Sequence, residues 1–122
     1  MKLRDIQQEI VKLADEHPNN TANCEYFNMT GHPVCIVGHA VSRLGGNPDK
    51  FRHPSINSAC FRVNRVREAA GVEDVDLNII HWIDVVQSVQ DEGKTWAEAV
   101  AAANENVPDL HKEVEVVYAD IY

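Results

Sequence analysis

The sequence predicts an α+β domain, mostly α: four to five helices around a central helix at 76–92, with a small antiparallel hairpin or sheet. Two observations lead there. Apolar residues recur at helical spacing in several separate stretches, each bounded by Gly, Pro or Asx residues. Two other stretches, 24–34 and the C-terminal tail, carry strand-like residues instead. The 122 residues form a single domain over 1–122. That length buries a core without help from disulfides or a metal.

Residues 3–16 place Leu3, Ile6, Ile10 and Leu13 on one helical stripe, widened by Val11 and Ala14. Asp5 suits the positive N-terminal end of that helix, and Pro18 biases His17 out of helical geometry and stops it. Tyr26 and Phe27 then favour a strand, and Asn28-Met29-Thr30-Gly31 is turn chemistry, giving a hairpin. With Met29-Thr30 at its tip, Asn28 faces Gly31 and Cys24 faces Cys35.

A second helix is expected over about Val34–Leu44, with Pro33 just ahead of it. Val37, Ala40, Val41 and Leu44 form its apolar stripe, and Cys35, Gly38, His39 and Ser42 a small, polar one. Gly38 inside a helix costs about 1 kcal/mol against Ala, so another backbone is expected to approach there. Gly45-Gly46 ends this helix. A third helix is expected over about Ser55–Ala70, with Cys60 on its apolar face. The fourth, 76–92, can be capped by Asp74 or Asp76. Its apolar residues cover more than half its circumference, which makes it the core helix or a subunit interface as well. Thr95-Trp96-Ala97-Glu98 is a capping box opening a fifth helix over Trp96–Asn104. In the tail, Val114, Val116 and Tyr118 alternate as in a strand, which could pair with the hairpin or with another chain.

Composition narrows the function. The net charge of −8 is polarised: residues 1–70 carry nine Lys or Arg against seven Asp or Glu, and residues 71–122 two against twelve. The acidic half repels phosphate backbones, so nucleic acid is a disfavoured partner. No apolar run is long enough for a membrane span, and the start lacks a signal peptide's apolar stretch. A cytoplasmic protein follows as the expectation, and the sequons at Asn19 and Asn28 are then chance matches. Three cysteines are an odd count that argues against a disulfide framework.

The stretch 24-CEYFNMTGHPVCIVGHAV-41 holds the residues that could carry chemistry. Cys24, Cys35 and His39 could supply three zinc ligands, with Cys60 or His32 as a fourth, although the spacing matches no compact zinc module. Cys35 near a helix N-terminus could be an activated thiol beside His32 or His39, but no third group to orient a base is evident. The competing reading is buried, inert cysteines filling a corner. No metal and no cofactor is assigned on this evidence, and the protein is read as a non-enzyme. Elsewhere, Phe61, Arg62 and Arg65 lie in a basic segment that could stack on nucleic acid or anchor a protein contact. Packing of Phe61 and pairing of the arginines with the acidic half is the plainer alternative. With Tyr118 of the tail, these three are the expected partner-binding residues.

Cys24–Tyr26 (C-x-Y), Pro33–Ala40 (P-x-C-I-V-G-H-A), Leu44-Gly45 and Trp82–Trp96 (W-x3-V-Q-x2-Q-D-x-G-x2-W) together resemble a group of small proteins from actinobacteria and their phages. The resemblance spans about residues 22–102. It implies a phage or actinobacterial accessory protein, in the host cell's cytoplasm if phage-encoded; the wide apolar arc of the 76–92 helix, the strand-like tail and the polarised charge point to one that binds a host protein or its own copies. It brings no catalytic residue with it. A nucleic-acid-binding regulator and a small zinc-binding module are the alternatives.

Overall fold

The structure, a computed structural model, describes residues 1–22, 26–51 and 70–111. Among these the fold is all-α. Its helices are α1 (Leu3–Glu16), α2 (Ile36–Arg43), α3 (Leu77–Asp91) and α4 (Trp96–Asn106), with 3-10 turns at Pro48–Phe51 and Pro108–His111. No strand occurs among the described residues, so the expected α+β class is corrected. The hairpin is reduced to one bridge, Phe27 opposite Pro33. The cause is local: the residues just after Pro33 turn into α2 at Ile36, so the pairing has no room to extend. The third expected helix, with Cys60, Phe61, Arg62 and Arg65, lies outside the described residues. So do Cys24 and the tail strand with Tyr118.

The helix ends show why these sequences fold as they do. The two candidate aspartates cap different helices. Asp76 accepts from the Asn78 and Ile79 amides at 3.0 and 3.2 Å, starting α3. Asp74 accepts from the Leu3 amide at 3.1 Å, at the start of α1. Thr95 and Glu98 form the expected reciprocal box on α4. The predicted stop after α1 has a second use. Its carbonyls at Asn20 and Pro18 accept from the Trp96 and Ala97 amides at 2.8 and 3.1 Å. These are first-turn donors of α4 that have no partner within their own helix.

Leu3, Ile6, Ile10 and Leu13 of α1 are buried, as their spacing predicts. Each contributes about 1.5–3 kcal/mol relative to exposure. They close on Trp82, Ile83 and Val86 of α3, Ile36, Val37, Ala40 and Val41 of α2, and Ala99 and Ala103 of α4. The indole N–H of Trp82 donates to Asn104 Oδ1 at 2.9 Å, tying α3 to α4. The wide apolar arc of α3 is thus taken up inside the domain. Its exposed large apolar residue is Leu77, 45% exposed in the first turn. The alternative, an arc serving a subunit interface, has little apolar surface left to rest on.

Candidate functional site

The segment from Tyr26 to Val41 is built in two layers. The inner layer starts with Tyr26 and Phe27, both buried. The Val34 amide donates to the Tyr26 carbonyl at 2.9 Å. That bond delays α2 until Ile36, two residues after the expected start, and leaves Cys35 as the N-cap. The Cys35 Sγ accepts from the Gly38 amide at 3.3 Å. Gly38 meets the expectation of close approach: a Cβ built there would lie 2.0 Å from the Tyr26 carbonyl oxygen and 2.9 Å from its carbon.

Behind this corner stands a polar group from α3. The Ile36 amide donates to Gln90 Oε1 at 2.8 Å, across 54 residues of sequence. Gln87 and Gln90, both 0% exposed, donate through Nε2 to Asp91 Oδ1 at 3.2 and 3.3 Å. The two sequence patterns, around Cys35 and around Val86–Asp91, are therefore one buried joint. Gln87 Oε1 and Asp91 Oδ2 are buried without a hydrogen bond, which makes this joint the most demanding polar part of the core.

The joint does not activate the thiol. Burial pushes Cys35 up from its ordinary 9.0 to about 12, with Asp91 adding to the rise; the Gly38 and Val37 amides and Gln87 oppose it. A helix N-terminus lowers a thiol's pKa when the sulfur is partly exposed, but here burial is the larger effect. Cys35 is a free, buried thiol. His39, one turn on, is half-buried and its ring lies edge-on to Trp96, with centroids 5.3 Å apart. Burial, followed by Arg43 and His17, lowers its pKa. Among the described residues no three His, Cys, Asp or Glu side chains are grouped to hold a metal. Cys24 and Cys60, two of the proposed ligands, are outside them. An open cleft of about 380 Å³ beside the corner is lined by Thr21, Ala22, Val34 and Gly93. None of these four is ionisable.

The outer layer is the loop Asn28–His32. Asn28 Oδ1 accepts from the Thr30 amide at 3.0 Å, the Thr30 hydroxyl at 2.8 Å and the His32 amide at 2.9 Å. The Asn28 amide donates to the His32 carbonyl at 2.9 Å, and the Gly31 amide to the Asn28 carbonyl at 3.0 Å. Gly31 supplies the left-handed turn at φ 82°, which side chains with a Cβ resist. Thr30 Oγ1 lies 2.8 Å from His32 Nδ1. The sequon-like Asn28-Met29-Thr30 thus has a structural role here, because its polar ends close the loop. Closure by Asn28 also shifts the register by one from the expected pairing. At the tip, Met29 is 100% exposed.

Arg43, at the end of α2, pairs with Glu16 at 2.7 Å and Glu9 at 3.7 Å. Both acids belong to α1, not to the acidic C-terminal half. Sequence reading missed Gln87, Gln90 and Asp91, although the two glutamines stand at i and i+3 on the face that also carries Ile83 and Val86. It also missed Met29, which has no signal beyond its place in a turn.

The joint makes a prediction. Gln90→Leu removes the acceptor for the Ile36 amide and one donor to Asp91. It is expected to cost about 2 kcal/mol in urea unfolding. A cost within a few tenths of a kcal/mol would show that Gln90 does not hold α2 to α3.

None of the described helices is long and apolar enough to cross a membrane. Scans against protein-family models, curated proteins and solved structures find no match to this chain.

Proposed function

We propose that the protein is a non-enzymatic accessory protein that acts by binding another protein, with the Asn28–His32 loop as its contact. One observation carries this reading: Met29 stands fully exposed on a loop already fixed by its own hydrogen bonds. A loop fixed before binding loses little conformational entropy when it docks. An unbranched thioether adapts its shape to an apolar pocket on the partner. Root residues Tyr26 and Phe27, buried in the core, keep the tip in place. The raised thiol pKa of Cys35 supports the non-enzymatic half of the reading, since the thiolate is the nucleophilic form. The resemblance to small proteins of actinobacteria and their phages favours a host protein or a second copy as the partner.

Affinity capture from an extract of the cellular source, alongside native mass measurement, tests the proposal. Wild type is expected to retain a specific protein or to self-associate, and Met29→Lys to lose that partner. Stability should stay within about 0.5 kcal/mol, as for other surface changes. Identical retention by both proteins, or a strictly monomeric wild type that retains nothing, would end the proposal.

A further inference from the structure

We propose that Met29 is a hydroperoxide-sensitive modification site, and that its oxidation to the sulfoxide switches off the contact made by the loop. The switch rests on the contact reading above; the oxidation itself does not. The chain has two methionines. Met1 is partly buried against the core, whereas Met29 is 100% exposed. Thiols normally compete for peroxide as thiolates. Cys35 is withdrawn from that competition by full burial and a pKa of about 12. Among the described sulfur-bearing residues, Met29 is the one open to an oxidant.

In the reaction the thioether sulfur attacks one peroxide oxygen with a lone pair. The S–O bond forms as the O–O bond breaks. With hydrogen peroxide, the departing hydroxide takes up the proton of the attacked oxygen and leaves as water. The sulfur is oxidised and the peroxide reduced by the same electron pair. The product tip is polar and strongly hydrated in place of an apolar one. The loop keeps its shape, because its hydrogen bonds run through Asn28, Thr30, Gly31 and His32 and none uses the Met29 side chain. Oxidation therefore changes what the tip can bind without unfolding what holds it. Methionine sulfoxide is enzymatically reducible, so the change can be reversed.

The test treats the folded full-length chain with graded hydrogen peroxide, followed by peptide mapping by mass spectrometry. The Met29 peptide is expected to gain one oxygen at doses that leave the Met1 and Cys35 peptides unchanged, with no shift in the thermal midpoint. Oxidation of Cys35 first, or of Met1 as fast as Met29, would overturn the assignment. Capture is then repeated with the oxidised protein. Partner retention should fall about tenfold, the effect of burying one poorly matched polar group. It should return after treatment with methionine sulfoxide reductase, and peroxide-treated Met29→Leu should keep its partner. If Met29→Lys loses the partner but oxidised wild type keeps it, the switch is wrong and the contact stands. If neither change affects capture, the contact reading fails, and the switch with it.

Discussion

Raising the pH from 8 to 11 is expected to cost the wild-type fold about 2 to 3 kcal/mol more than it costs the Cys35→Ala variant. The cause is the buried thiol, whose pKa rises from 9.0 to about 12 on folding. Below pH 9 the thiol is protonated in both folded and unfolded chains, and the fold has its full stability. Between pH 9 and 12 the unfolded chain releases this proton and the folded chain does not. The unfolded state is favoured by about 1.4 kcal/mol for each pH unit in that window, and the loss levels off above pH 12. Both proteins share every other ionisable group, so the difference between wild type and variant isolates Cys35. Urea unfolding at several pH values reads it directly. Parallel pH curves for the two proteins would mean that the sulfur is exposed enough to ionise in the folded state. The inert-corner account of Cys35 would then be wrong.

Gly38→Ala is expected to lower stability by about 3 kcal/mol, equivalent to a fall of about 10 °C in Tm. Two effects oppose each other here. Alanine is the better helix former by about 1 kcal/mol, and Gly38 lies within α2. The added Cβ, however, would stand 2.0 Å from a backbone carbonyl oxygen of Tyr26. Backbone cannot swing aside as a flexible side-chain end can. Relief requires α2 to move off the Tyr26–Phe27 segment, which strains the Val34 amide's bond to Tyr26 and the Ile36 amide's bond to Gln90. The steric effect therefore prevails. Differential scanning calorimetry gives the answer by its sign: a raised Tm would show that the helix and the Tyr26 backbone can separate without cost.

The helices were the legible part of the sequence, because their signals are local. The α1 stripe matches Leu3–Glu16, the central helix falls at Leu77–Asp91 within its expected 76–92, and the Thr95–Glu98 box opens α4 as its spacing implies. Gly38 was legible for the same reason: a glycine in a helix needs a compensation, and the Tyr26 carbonyl is it. The β component was misread. Tyr26 and Phe27 have strand propensity, yet they are buried anchors for a loop rather than rungs of a ladder. Propensity does not register that one asparagine side chain closes five residues into a loop, or that the chain turns into α2 just after Pro33. The joint of Cys35 with Gln87, Gln90 and Asp91 was not legible either. It depends on which face of α3 meets the start of α2, a tertiary fact that separate motifs cannot supply. Within the cysteine-rich segment, Cys35 is a buried packing residue. The large apolar residue it exposes is Met29.

Both halves of this account meet in one measurement: the affinity of the captured partner for wild type, Cys35→Ala and Met29→Lys, compared at neutral pH where all three are folded. The account predicts equal affinity for wild type and Cys35→Ala, and a loss of about tenfold or more for Met29→Lys, as for an apolar anchor replaced by a charge. Loss of the partner in Cys35→Ala with retention in Met29→Lys would contradict it, placing the function at the thiol and not at the loop.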